Sequence, residues 1–390
     1  MKTGSRRIYL DSASTTPLRD GVFEAMKPYF SEKFGNASSL HSYGREATEA
    51  LEESRNILAC KLGAKPEEII FTSGGTEANN LALKGIAYQN REKGKHIITT
   101  KIEHSSILNP CKWLEGEGFK VTYLDVDNFG RLNTETLENA IRKDTILVSI
   151  GHGNNEIGTI QNLKEIGRIT REKGVLLHSD ACQTFTKHKI DVEEQNLDLV
   201  TINAHKIYGP KGVGALYIRN GINITPVNHG GQHERRIRGG TENIPGIVGF
   251  AKAAELMTED DILHMQELRN TLVKKVLIEV EDSQLNGHPC ERICNNANFT
   301  FPGVEGESLL LRIDVRGIAA STGSACSSKS LNPSHVLLAI GLAPEEAHGS
   351  LRITTGIGNK IDDMNYAASV IEEEVAKLRK MSPTWKKDKQ

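Results

Sequence analysis

Three polar stretches of this 390-residue chain directly follow apolar runs, and each carries side chains that are costly to leave idle beside a core. Thr72-Ser73-Gly74-Gly75-Thr76-Glu77-Ala78-Asn79-Asn80 reads as a strand end, a glycine turn and a helix that starts at a threonine. Such a geometry aims backbone N–H groups and a hydroxyl at one spot, as a phosphate cradle requires, although a capped helix after a tight turn has the same pattern. In His178-Ser179-Asp180-Ala181-Cys182-Gln183 an acid stands at the carboxyl end of a buried strand, where it either caps the next segment or holds a ring nitrogen protonated. Asn203-Ala204-His205-Lys206-Ile207-Tyr208-Gly209-Pro210-Lys211-Gly212 sets a lysine just after another apolar strand and before a Gly-Pro turn. A lysine of this kind, taken alone, is most often a solvated surface group. Beside Asp180 and the glycine turn it completes a set: phosphate cradle, ring-nitrogen carboxylate and an amine able to form a Schiff base. Those are the three parts of a pyridoxal-phosphate site.

Cys326 adds a nucleophile. It lies in Ser321-Thr322-Gly323-Ser324-Ala325-Cys326-Ser327-Ser328-Lys329-Ser330, which has no apolar pattern able to bury it, so the thiol is expected on an exposed loop and reactive. The cysteines, at positions 60, 111, 182, 290, 294 and 326, are too few for a disulfide framework. Cys290 and Cys294 have no second pair of ligands at useful spacing, so no metal site is expected.

The elements that must position these residues alternate. Candidate strands run over Ile69–Thr72, His96–Thr100, Val121–Leu124, Thr145–Ile150, Val175–Ser179, Asp198–Asn203 and Val213–Ile218. Helical patterns at Thr76–Gln89, Thr134–Arg142 and Leu163–Lys173 lie between several of them. This alternation predicts an α/β fold with a mostly parallel seven-stranded sheet covered on both faces, and ligands in such sheets sit at the carboxyl ends of the strands. The polar stretches fall at those ends. A long helical stretch, Gly249–Glu281, then leads to a second texture: a strand at Asn298–Phe301, a helix at Glu307–Ile313, the Cys326 loop and a strand at Leu351–Thr354. This reads as a smaller α/β domain with a boundary near residue 255. The formal net charge of -2 gives no nucleic-acid footprint, and no apolar run approaches the length of a membrane span. The expectation is a cytoplasmic protein without nucleic-acid or membrane partners.

From Tyr9-Leu10-Asp11 to the final helix the sequence resembles the cysteine desulfurases of the NifS/IscS type, fold-type-I pyridoxal-phosphate enzymes of the class-V aminotransferase family. The resemblance rests on Thr72–Asn80, Glu103-His104, Asn154-Asn155-Glu156-Ile157-Gly158, Asp180–Gln183, His205–Gly212, Ser324-Ala325-Cys326 and Leu351-Arg352. It implies a homodimer whose large cofactor domain spans residues 15–255, with residues 1–14 and 256–390 forming a small domain that carries the cysteine loop. It implies that Lys206 is the Schiff-base lysine and moves the substrate's Cα proton, that Asp180 pairs with the pyridinium nitrogen, that His104 stacks on the ring and that Gln183 bonds its phenolic oxygen. Gly75, Thr76, Asn203 and His205 would hold the phosphate, joined by Thr241 of the partner subunit. Arg352 and Asn155 would bind the carboxylate of L-cysteine, and Asn36 also matches a family motif near the substrate. Cys326 would take the sulfur as a persulfide, leaving alanine, and pass it to an iron–sulfur scaffold or another acceptor protein.

Two positions depart from the family. Asn203 stands where serine is usual, replacing a phosphate hydroxyl by an amide, and Gly356-Ile357 replaces the usual Gly-Arg pair. The nearest rival functions are selenocysteine lyase, whose substrate differs by one atom, and another class-V aminotransferase-family enzyme, which has no use for a thiol on a loop. A non-catalytic sulfur-transfer scaffold would not need Lys206, Asp180 and His104 together.

Overall fold

The computed structural model describes residues 6–323, 333–382 and 385; Cys326 lies outside them. The strands are β1 (Ile8–Tyr9), β2 (Ile69–Thr72), β3 (His96–Thr100), β4 (Lys120–Leu124), β5 (Thr145–Ser149), β6 (Leu176–Asp180), β7 (Leu199–Asn203), β8 (Gly214–Ile218), β9 (Gln284–Asn286), β10 (Asn296–Thr300), β11 (Ile318–Ala319) and β12 (Ser350–Thr354). Seven of them form one sheet in the order β2-β8-β7-β6-β5-β3-β4. Only β8 runs against its neighbours; β7, β6, β5, β3 and β4 are parallel. The expected mostly parallel, seven-stranded α/β sheet is therefore what the chain forms.

The sheet is apolar on both faces, and the period of two divides each strand between them. Ile98, Val148, Leu177 and Val200 enter one apolar cluster, while their neighbours Ile97, Leu147 and Leu199 enter another. The first cluster is closed by helices Ser42–Leu62 and Ile244–Leu256, whose Ala47, Leu51, Leu58, Ile247, Phe250 and Ala254 are buried. Helix Gly75–Gln89 covers the opposite face through Ala78, Leu81, Ala82 and Ile86.

A third cluster stands apart. It joins Ile8 and Leu10 from the chain's beginning to Leu268, Leu272 and Val276, to Phe299 and Ile353 and to Val370, Ile371 and Val375. Here β12, β10 and β9 form an antiparallel sheet and β1 pairs in parallel with β11. The predicted helical stretch Gly249–Glu281 is broken in two. The first helix ends at Leu256, and Thr258 starts the next, Glu259–Glu279, by a reciprocal cap in which its hydroxyl accepts from the Asp261 N–H and its own N–H donates to Asp261 Oδ2, each at 3.2 Å. The strong cap outweighs the continuous apolar pattern.

Candidate active site

Strands β6 and β7 are parallel neighbours that end at the same rim, so Asp180, the last residue of β6, and Asn203, the last of β7, face one cavity of about 270 Å³. His205 and Lys206 follow β7 and line the same cavity. The turn bearing Lys206 is held at both ends by Thr16: its hydroxyl donates to the His205 carbonyl at 2.9 Å and accepts from the Tyr208 N–H at 2.8 Å. Tyr208 adopts φ +67°, a left-handed conformation that a bulky residue takes only when its surroundings hold it there.

Opposite this rim the helix Gly75–Gln89 begins. Gly74 has φ +151°, open to glycine, and a Cβ on Gly75 would lie 2.6 Å from Cys182 Sγ. The glycine pair therefore lets the helix start press against the end of β6, with Gly75 and Thr76 lining the cavity. One turn further, Asn79 is completely buried and its Nδ2 donates twice, to Asp180 Oδ2 at 2.7 Å and to Ser106 Oγ at 2.8 Å. Ser106 in turn lies 2.7 Å from His104 Nδ1, which also accepts the Ser106 N–H at 3.1 Å. Because Nδ1 accepts a backbone proton, the neutral imidazole carries its own on Nε2. One amide thus ties the carboxylate at the strand end to the histidine on the cavity wall.

Burial alone would raise the Asp180 pKa, yet hydrogen bonds from the Cys182 N–H and from Asn79, with His104 and Lys206 nearby, hold it below the ordinary carboxyl value. Asp180 is a buried anion ready for a cationic partner. Burial pushes His104 down, with Lys206 and His335 adding to the effect against Asp180, so this ring is neutral. His205 is pushed down to about 4 by burial and by Lys206, Lys211 and Lys187. Glu103, also on the cavity wall, is pushed up to about 7 by burial, against the Thr100 hydroxyl and the Gly151 N–H.

The far end of the cavity is built from distant segments. Arg352, in β12, is 2 % exposed; its Nη2 donates to Asp11 Oδ1 at 2.9 Å and Ser14 Oγ at 2.8 Å, and its Nη1 to the Asn155 carbonyl at 3.1 Å. Its Nε has no partner among the described residues. A buried guanidinium with an unused donor at a cavity wall suits a carboxylate. Gln183 Nε2 donates to the Ala13 carbonyl at 3.0 Å and borders the same space.

Of the residues expected from the sequence, Gly75, Thr76, His104, Asn155, Asp180, Gln183, Asn203, His205, Lys206 and Arg352 all line the cavity. Thr241 and Asn36 do not. Thr241 is exposed, and Asn36 uses its Oδ1 to accept the Ser38 N–H at 2.8 Å in an exposed turn. Cys326 lies outside the described residues. Among the described residues no group of three or more His, Cys, Asp or Glu could hold a metal ion. Asn79, Ser106, Thr16 and Asp11 escaped the sequence reading as site residues. Asn79 was within reach, since it lies three positions after Thr76 and hence on the same helix face.

The comparisons with known proteins agree. Residues 8–366 match the family described as Aminotransferase class-V. The chain is 52 % identical to the cysteine desulfurase IscS of Dictyoglomus turgidum, over 98 % of this chain and 99 % of that one. Among solved structures, a NifS-like protein superposes with a TM-score of 0.89 at 38 % identity, covering 95 % of this chain and 100 % of its own. SspA in complex with cysteine gives a TM-score of 0.82 at 39 % identity, covering 90 % of this chain and 99 % of its own. The chain belongs to the class-V aminotransferase family and, within it, to the cysteine desulfurases of the NifS/IscS type, enzymes that depend on pyridoxal phosphate.

Proposed function

We propose that this chain takes sulfur from L-cysteine, releases L-alanine and holds the sulfur as a persulfide on Cys326 for transfer to an iron–sulfur scaffold or another acceptor protein. The observation that carries this reading is the convergence on one cavity of an ionised buried carboxylate (Asp180), an amine (Lys206) and a glycine-opened helix start (Gly75, Thr76), facing a buried guanidinium (Arg352).

The residues fit pyridoxal phosphate. Gly75 leaves the helix N-terminus bare for a phosphate, and a Cβ there has no room. Thr76, His205 and Asn203 border the same end, with Thr241 of the partner subunit completing it in a homodimer. Bound there, the cofactor would supply an electron sink for the reaction at the substrate. Asp180 would pair with the ring nitrogen, and His104 and Gln183, which line the same cavity, would border the ring. Lys206 would supply the amine that holds the cofactor and would carry the substrate's Cα proton. Arg352 and Asn155 hold the substrate carboxylate. The Cys326 thiolate attacks the substrate sulfur: the sulfur–sulfur bond forms, the Cβ–sulfur bond breaks, and its electron pair stays with the carbon skeleton that is protonated to alanine.

Residues 15–255 serve as the cofactor domain, and residues 1–14 with 256–390 as the smaller one; the separate apolar cluster joining Ile8 and Leu10 to the C-terminal elements supports that division. No helix among the described residues is long and apolar enough to cross a membrane. The compartment proposed for this activity is the cytoplasm. Cys326→Ala tests the central step. It should still bind L-cysteine and change the cofactor's absorbance, yet form no persulfide. Wild-type sulfide release by this variant would make the thiol a bystander.

A further inference from the structure

Glu156 belongs to the motif Asn154–Gly158, and nothing above uses its side chain. It is 1 % exposed. Its backbone is fixed on every side: its N–H donates to Asn154 Oδ1 at 2.9 Å, and its carbonyl accepts from Asn296 Nδ2 and Asn298 Nδ2, each at 3.2 Å. A buried carboxylate is costly unless something is gained by keeping it.

Its Oε2 lies 2.5 Å from Ser334 Oγ. Ser334 caps the helix His335–Ala339, and its Oγ accepts the N–H groups of Val336 at 3.2 Å and Leu337 at 3.3 Å. With those lone pairs engaged, the hydroxyl proton points to Glu156, which is the acceptor. On the other side, a Cβ built on Gly323 would lie 3.0 Å from the same Oε2 and 3.1 Å from Ser334 Cβ. Gly323 and Ser334 bracket residues 324–333, which include Cys326. Both flanks of the cysteine segment therefore meet at one carboxylate oxygen.

The flanks are tied to the site as well. Ser321 and Arg352 exchange backbone hydrogen bonds at 3.1 and 2.7 Å, and His335 Nε2 lies 3.0 Å from the carbonyl of Glu103, the neighbour of His104. Burial pushes the Glu156 carboxyl up, while Ser334, His335 and Arg352 oppose that shift.

We propose that Glu156 is a positioning residue for the sulfur transfer: by accepting from Ser334 beside Gly323 it fixes where the stretch that carries Cys326 is attached to the cavity wall. A fixed attachment point raises the effective concentration at which a tethered group meets its target. This inference rests on the reading of Cys326 as the persulfide residue.

The test mixes L-cysteine rapidly with the cofactor-loaded enzyme and follows two signals, the cofactor's absorbance change and alkylation-trapped persulfide on Cys326 by mass spectrometry. Glu156→Ala should slow persulfide formation by tenfold or more while the absorbance change stays within twofold of wild type. Glu156→Gln, which keeps an acceptor oxygen, should recover most of the rate. Ser334→Ala should reproduce the Glu156→Ala defect, and the double variant should add little to it, because both remove one bond. An unchanged persulfide rate in Glu156→Ala and Ser334→Ala overturns the inference. So does an equal fall in both signals, which would mean a general structural role. If wild type forms no persulfide on Cys326, the parent reading fails too, and that outcome is distinct from the other two.

Discussion

The two ends of the cavity are made in different ways. At the strand rim, Asp180, Asn203, His205 and Lys206 come from adjacent parallel strands and the turn after them, so once the sheet forms they are brought together. At the far end, Arg352 is joined to Asp11, 341 positions away, and to Asn155, 197 positions away. The rim is a property of one sheet. The far end exists only when the small antiparallel sheet and the chain's beginning dock against the cavity. The difference predicts that changes at the rim affect cofactor and chemistry, whereas changes at the far end affect substrate affinity and leave the cofactor in place.

The largest effect is expected at the rim. Lys206→Ala should abolish alanine release and the visible absorbance of covalently held cofactor; residual turnover near wild type would put the amine elsewhere. At the far end, Arg352→Ala should weaken L-cysteine binding by about 3 kcal/mol, the scale of a charge-assisted pair losing one partner, with cofactor content unchanged. Arg352→Lys should restore only part of this, since an ammonium keeps the charge but not the planar fork. Spectral titration with L-cysteine is the measurement, and equal loss of cofactor and substrate would erase the contrast between the two ends.

Glu103 sharpens the comparison through pH. Its folded pKa of about 7 stands above the ordinary 4.5, so the folded protein binds this proton more tightly than the unfolded chain. The stability it contributes is complete below about pH 4.5 and is lost as pH rises through about 7. Glu103→Gln fits the same partners, with its oxygen accepting the Gly151 N–H and its amide donating to the Thr100 hydroxyl. Thermal unfolding should show the variant more stable than wild type by about 2 kcal/mol at pH 8 and little changed at pH 5. Parallel pH curves for the two proteins would contradict the assignment.

Asn203 should give the smallest change. Its Nδ2 lies 3.4 Å from His205 Nε2, a weak contact, and its buried Oδ1 has no partner among the described residues. An unpartnered carbonyl at the phosphate end costs affinity for an anion, so Asn203→Ser should slow cofactor loss during dialysis by an amount worth about 1 kcal/mol. Equal or faster loss would mean that the amide serves the phosphate as well as a hydroxyl.

Much of this was legible from residue order. The sheet's strands were readable because each is a short apolar run followed by polar residues, and the rim residues because they end those runs. Other features depended on partners far along the chain. The break between Leu256 and Glu259 hid inside a continuous apolar pattern, decided by a two-residue cap at Thr258. Thr16 clamps the Lys206 turn from a distance of 190 residues or so, and no local pattern announces it. The departure at Ile357 is carried by its backbone: its N–H donates to Tyr208 Oη at 2.8 Å whatever the side chain.

What the sequence by itself determined, then, is the alternation that makes a parallel sheet and the chemistry at the ends of its strands. Strand period and strand ends are local properties of the chain. Tertiary structure alone decided that Asn79 links Asp180 to His104, that Asp11 and Ser14 seat Arg352, and that Glu156 meets both flanks of the Cys326 segment. Those contacts join residues with no periodic relation, and a hydrogen bond a few ångströms long forms only after the whole core has packed and set the elements that carry its two ends.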